Sequence, residues 1–317
     1  MPVVNFGIKE VIRERGNQGI VAEEYLGQRY GQSVLVFTDG SKDPETGRTG
    51  AAVHVPSYNV DIKTRCTDHL SVYAVEVTAI IMALGWVQTN GIKLAVIASD
   101  SWSALTSILT MKSSRLDLVF ELHRLMYEAQ KGGLRVEFVW VPAHVGIEGN
   151  EVVDILAKQS LRALGIERQG VLSRAEGKSI IGGYIQKRWQ EYWEAQETGR
   201  HFFSIQSQVG VGRRLGRSRR EEVVLSRMRI GHTGLNDSLH RIGKHKDGKC
   251  KHCGERETVE HILMVCGKYG EQRDRFRMVL HQAEETFGMG NVLQMKRANI
   301  QKGLIKFLRD TGLLDRI

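Results

Sequence analysis

The chain reads as an α/β protein: a mixed five-stranded sheet, three strands antiparallel and two parallel, flanked by helices and followed by a second, mainly helical domain. Three observations predict this. Continuous apolar runs at residues 34–37 and 94–97 suit strands buried on both faces. Residues 60–66 alternate apolar and polar with period two, as a half-buried strand does. From Ser71 onward apolar residues recur at helical spacing between the later strands. With 317 residues, 41% of them hydrophobic, the chain can build two cores, at about 150 residues per domain.

Residues 1–32 are polar, carry Gly7, Gly16, Gly19, Gly27 and Gly31, and form a lead-in with no element predicted. The first strand, 34–37, ends at Thr38, Asp39, Gly40 and Ser41. Gly47 and Gly50 mark a turn into a second strand at 51–55, and the third at 60–66 completes an antiparallel meander. Val72, Val75, Ala79, Met82, Ala83 and Trp86 then share a helix face, with Glu76 inside that helix. After Asn90-Gly91 the strand 94–97 ends at Ser99, Asp100 and Ser101. Helices over 102–110 and 115–131 precede a fifth strand, 135–141, which Pro142 stops. Asn150 suits the N-cap of a helix running to Leu164, with Asp154 in its first turns. Right-handed crossovers place the fourth and fifth strands beside the first, so Asp39 and Asp100 fall on neighbouring strand ends. The first domain therefore spans 33–164. Glycines 165, 170, 177, 182 and 183 mark 165–183 as a linker, and 184–317 form the second domain, with helices over 184–197, 221–230, 268–287 and 299–310.

The net charge of +9 is uneven. Residues 1–160 hold 15 Lys and Arg against 18 Asp and Glu, whereas residues 161–317 hold 30 against 18. A polyanionic partner is expected for the second half. No stretch approaches the roughly 20 apolar residues of a membrane span, and Lys9 and Glu10 come too early for a signal peptide. An intracellular protein without membrane partners is expected, with nucleus and cytoplasm both open. Three of the four cysteines lie within residues 250–266, which suits a metal site better than a disulfide framework.

Asp39, Glu76, Asp100 and Asp154 are the candidate catalytic and metal-binding carboxylates. Singly, the aspartates are ordinary turn or cap residues. Glu76 sits among apolar residues of a core-facing helix, where a lone carboxylate is costly without a partner. Four converging carboxylates repel one another at neutral pH, and divalent cations remove that repulsion. Oxygen donors point to Mg²⁺ or Mn²⁺, and two such ions can activate a water and stabilise a departing oxygen in phosphodiester hydrolysis.

Thr38-Asp39-Gly40-Ser41, Glu76, Ser99-Asp100-Ser101 and the run from Pro142 through His144, Gly146, Gly149, Asn150 and Glu151 to Asp154 together resemble the ribonuclease H domain over about residues 33–162. The resemblance implies a ribonuclease H-like sheet, a metal-binding quartet of Asp39, Glu76, Asp100 and Asp154, and endonucleolytic cleavage of RNA in an RNA–DNA hybrid. It also implies that His144 moves protons or assists product departure, and that Gly40, Ser41 and Asn150 lie at the substrate. Members that cut cellular hybrids carry amide residues shortly before the helix glutamate, where this chain has Val72 and Tyr73.

Cys250, Cys253, His261 and Cys266 supply three thiolates and an imidazole, a set suited to a structural tetrahedral Zn²⁺. His252 competes with His261 but lies between two ligands. Arg229-Ile230-Gly231-His232-Thr233, Leu239-His240-Arg241-Ile242-Gly243 and the cysteine cluster resemble the tail that follows ribonuclease H in polyproteins of non-LTR retrotransposons. That resemblance implies a reverse-transcriptase partner. Arg213, Arg214 and Arg217 are candidate phosphate contacts. Trp189, Tyr192 and Trp193 read either as base-stacking groups or as packing. Two other functions remain open at this level: a catalytically silent nucleic-acid-binding module, and a DNA-cutting nuclease on the same fold.

Overall fold

The computed structural model describes residues 2–14, 18–210 and 218–317. The chain divides into two compact units, Met1–Ile181 and Gly182–Ile317. In the first, the elements run β1 (Val3–Asn5), α1 (Ile8–Glu14), α2 (Gln18–Tyr30), β2 (Val34–Lys42), β3 (Thr49–Val55), β4 (Val60–Cys66), α3 (Val72–Thr89), β5 (Leu94–Ser99), α4 (Trp102–Thr110), α5 (Leu116–Lys131), β6 (Arg135–Trp140) and α6 (Glu148–Ser160). The sheet order is β1-β6-β5-β2-β3-β4. The meander β2-β3-β4 is antiparallel and β5 runs parallel beside β2, as expected, whereas β6, also parallel, lies beside β5 and not beside β2.

The continuous apolar runs are explained by two covered faces. Val36, Ile97 and Phe138 point into a core with Ile80 and Leu84 of α3, Leu105 of α4 and Leu122 of α5. Their strand neighbours Phe37, Val96 and Val139 point the other way, toward Val153 and Leu156 of α6 and Ala22 and Leu26 of α2. Helix α3 carries buried residues almost all round because it lies between the sheet and α5. Its 18 residues are apolar enough to span a bilayer by composition, but 61% of it is buried inside the fold.

The sheet has six strands, not five, because Val3–Asn5 adds parallel to β6. Three residues cannot show a period, so tertiary packing alone decides this strand. Helix α6 begins at Glu148 with Ile147 as its N-cap, which frees the Asn150 side chain from capping, and it ends at Ser160 rather than Leu164. Gly149 is accommodated there because a Cβ would lie 2.3 Å from the Phe37 ring.

The segment expected to link the domains is largely helical. Helix α7 (Arg174–Ala195) passes through Gly177, Gly182 and Gly183. It starts in a capping box, with Glu176 N–H donating to Ser173 Oγ at 3.2 Å and Ser173 N–H to Glu176 Oε2 at 2.7 Å. Burial alone would raise the Glu176 pKa, but hydrogen bonds from Ser71 and Ser173 outweigh it and hold the carboxyl at about 2. The Arg115 guanidinium adds an ion pair at 3.2 Å.

The second unit is helical: α8 (Arg200–Ile205), α9 (Arg219–Ile230), α10 (Asn236–Arg241), a π-turn at His261–Val265, α11 (Gly270–Gln282), α12 (Met289–Gln294) and α13 (Ala298–Asp310). Leu225, Met228, Ile262, Phe276, Leu280, Leu304 and Leu308 are part of its core.

Gly40 couples strand to helix. A Cβ there would lie 2.5 Å from the Glu76 backbone nitrogen, so only glycine lets α3 approach β2 this closely. Gly40→Ala is expected to cost about 1–3 kcal/mol by overpacking, read as a lower urea midpoint in a fold that still forms.

Candidate metal centres

β2 pairs with β5 as far as Thr38–Ser99, then continues with β3 alone to Lys42. Asp39 therefore lies inside β2 but just past the last rung shared with β5, where Asp100 leaves that strand. The two carboxylates flank the same opening, and α3 brings Glu76 to it. Ligand atoms of Asp39, Glu76 and Asp100 all lie within 4.8 Å of one another.

This convergence is electrostatically unfavourable without a cation. Burial, then Asp100 and Asp154, raises the Asp39 pKa to about 7. Burial, then Asp39 and Asp100, pushes Glu76 well above the usual carboxylate range. Burial also raises Asp100, against hydrogen bonding from Asn150 and the charge of His144. The Gly40 backbone amide opposes both shifts, lowering Asp39 and Glu76. Glu76 Oε2 is buried without a hydrogen-bond partner. A buried acceptor aimed among other carboxylates is what a divalent cation satisfies, so the donor set fits Mg²⁺ or Mn²⁺.

Asp154 is placed differently. Its ligand atom groups with those of His144 and Glu151, again within 4.8 Å. Lys158, one helical turn on, binds the Asp154 carboxylate at 2.6 Å. The Asp-x3-Lys spacing was visible in the sequence as an i,i+4 pair, and Lys158 is the site residue the sequence reading passed over. His144 has φ of 54° on its loop, and Gly146 N–H donates to Glu151 at 3.3 Å. Asn150 is buried in the first turn of α6 and faces Asp100, with its Oδ1 left without a hydrogen-bond partner. Ser41 lies half-buried on β2 opposite Gly50. The Tyr73 hydroxyl is engaged by Ser107 and Ser113 at 2.7 and 2.6 Å.

In the second unit Cys250, Cys253, His261 and Cys266 place their ligand atoms within 4.8 Å of one another, and His252 is not among them. Cys250 and Cys266 sulfurs are 3.9 Å apart, and Cys253 Sγ is 3.3 Å from His261 Nε2. Zn–S bonds of about 2.3 Å at tetrahedral angles set sulfurs about 3.8 Å apart, so the four atoms are spaced for zinc and too far apart for a disulfide. Burial works to raise Cys250, but N–H groups of His252 and Cys253 donate to it and hold its pKa below the usual thiol value.

The π-turn explains how His261 and Cys266 meet. At about 100° per residue, positions five apart on an α-helix point about 140° away from each other. Here the Cys266 N–H closes onto the His261 carbonyl at 2.8 Å, five residues back, and returns the chain to the same side. Arg273, buried, donates to the carbonyls of Leu263 and Cys266 at 2.7 and 2.6 Å and so satisfies the end of the turn. Trp193 packs against Phe202 and Phe203, whereas Trp189 and Tyr192 are exposed. Arg213, Arg214 and Arg217 lie outside the described residues.

The mixed sheet with its flanking helices and the carboxylates at the β2–β5 opening define a fold of the ribonuclease H class. Residues 31–162 match the family model RNase H, and this segment is an RNase H domain. Over 86 residues, 27% of the chain, the sequence is 31% identical to a Retrovirus-related Pol polyprotein from type-1 retrotransposable element R1 4 of Nasonia vitripennis. The matched region spans 22% of that polyprotein's length.

Proposed function

We propose that this chain is a divalent-metal-dependent endonuclease that cuts the RNA strand of RNA–DNA hybrids, leaving 5′-phosphate and 3′-hydroxyl ends. The observation that carries this reading is the convergence of Asp39, Glu76 and Asp100 around the unpartnered Glu76 Oε2. Divalent ions bound there, two in the proposed mechanism, supply water activation and stabilisation of the departing oxygen. Asp39, Glu76 and Asp100 would hold them. Asp154, clamped by Lys158, adds charge from α6, and Asn150 orients Asp100. His144 stands beside Asp154 with a ring nitrogen able to carry a proton away. Gly40 acts through its backbone N–H on two carboxylates, while Ser41 is placed to meet substrate.

The second unit would hold a structural Zn²⁺ on Cys250, Cys253, His261 and Cys266. With its excess of Lys and Arg, it would grip the nucleic-acid backbone, with Arg213, Arg214 and Arg217 as contributors. The likeness to a Pol polyprotein favours a reverse transcriptase as a working partner. Labelled RNA–DNA hybrid, RNA duplex and DNA duplex incubated with the full chain in Mg²⁺ test the proposal. Cleavage confined to the RNA of the hybrid is expected. Preferred cutting of DNA duplex would redirect the substrate assignment. Salt-sensitive binding without any cleavage would make the chain a binding module.

A further inference from the structure

The N-terminal segment, described over residues 2–14 and 18–30, precedes the region matched to RNase H, and its strand β1 joins the sheet of that region beside β6. Within the segment, the Asn5 amide donates to the Tyr25 and Tyr30 hydroxyls of α2 at 2.9 and 2.7 Å and its oxygen accepts the Gly7 N–H at 2.7 Å. Ile8 is completely buried. These contacts fix Phe6 and Lys9. The Phe6 ring lies tilted against Trp102 with centroids 4.3 Å apart, Trp102 meets Trp140 edge-on at 5.4 Å, and the Lys9 ammonium sits 4.4 Å from the Trp102 ring centre.

This cluster borders the carboxylates. The Asp100 carbonyl accepts the Trp102 N–H at 2.9 Å and the Trp140 indole N–H at 3.0 Å. Packing leaves two features unexplained. Trp102 is still 41% exposed although three groups touch it. Lys9 is exposed and, among the described residues, pairs with no carboxylate. A free cation beside an open indole, at the rim of an anionic cleft, suits a polyanion with flat rings.

We propose that Lys9 and Trp102 form a nucleic-acid-binding shelf on the Asp100 side of the cleft, with Phe6, Trp140 and the N-terminal segment as its support. The ligand is the strand adjoining the bond that is cut, an assignment that rests on the nuclease reading. A backbone phosphate takes the Lys9 ammonium off the ring, and a base or sugar takes the indole face that this frees.

The test is equilibrium binding of a labelled RNA–DNA hybrid, over a salt series, to the full chain carrying Asp39→Asn so that substrate is not consumed. Lys9→Met in this background is expected to raise Kd about 3- to 10-fold at 0.1 M salt and to lower the logarithmic salt slope by about 0.9, one phosphate contact. Trp102→Ala is expected to raise Kd about 5-fold or more with the slope unchanged. Trp102→Leu, which keeps apolar packing but offers no aromatic face, serves if the alanine variant does not fold. Unchanged affinity and slope for Lys9→Met, whatever its melting temperature, would overturn the proposal and reduce the Lys9–Trp102 contact to packing. Because binding is read without turnover, failure of the unmodified chain to cut hybrid would sink the nuclease reading and leave this result decisive.

Discussion

Asp39→Asn is expected to lower hydrolysis by on the order of 10³-fold and, in the same protein freed of metal, to increase stability at pH 8. The first effect follows from losing an anionic metal donor at nearly constant shape. The second follows from linkage. In the folded protein the Asp39 carboxyl titrates at about 7, against an ordinary value of 3.8. Between those values the unfolded chain is ionised while the folded one keeps its proton, so the penalty on folding grows as pH rises from about 4 to about 7 and is constant above. Asparagine cannot ionise and escapes it. The distance from 3.8 to about 7 corresponds to about 4 kcal/mol at most. Relaxation of Glu76 and Asp100 leaves an expected gain of about 1–3 kcal/mol at pH 8 and almost none at pH 4. Urea unfolding in EDTA at both pH values measures this. Mg²⁺ should narrow or reverse the difference, because the ion binds only the native carboxylate set. A variant less stable than the parent at pH 8 in EDTA would contradict the electrostatic account, and one that still cuts hybrid would remove Asp39 from the mechanism.

Removing zinc is expected to have the largest effect on stability. Structural zinc sites of this type bind with apparent free energies of about 10–16 kcal/mol, comparable to the whole stability of a domain. Cys250 and Cys266 are buried within the second unit's core, beside Ile262 and Leu263, so an empty site leaves thiols and a buried imidazole with nothing to organise them. Cys266→Ala, or a strong chelator, should unravel residues 248–269 and lower the second unit's melting temperature by about 10 °C or more. Residues 1–181 should keep their melting transition. Hydrogen exchange resolved by segment, with native mass spectrometry counting one zinc, checks both parts. Equal protection of 248–269 with and without metal would show that the helical core holds this loop unaided.

The fold class was legible because both faces of the central strands are covered, which makes runs such as Val34–Phe37 apolar without interruption. Placing Asp39 beside Asp100 followed from crossover handedness together with the unbroken apolar run that marks the central strand, and the cysteine spacing pointed directly to the four atoms that meet in the second unit. The failures have local causes. β1 is too short to carry a period, and its place is decided by pairing with β6, far along the chain. Gly177, Gly182 and Gly183 marked a join, and the helix that runs through them is spelled by Ser173 and Glu176. Asn150 looked like a cap because its side-chain chemistry suits one. Only the packed structure shows that chemistry turned toward Asp100. That Asp154 also groups with His144 and Glu151, while its charge still reaches Asp39 and Asp100, depends on side-chain directions that spacing does not encode.

The turn between His261 and Cys266 has a consequence for how far such sites can drift in sequence. Ring size, and not ligand number, adapts to the spacer: four residues apart, the two ligands would share a face of an ordinary α-turn, and five apart they share it through the wider turn seen here. A single-codon deletion between them is therefore a change of helix type rather than a loss of the shared ligand face. The same ligand pair can persist across relatives whose spacers no longer align.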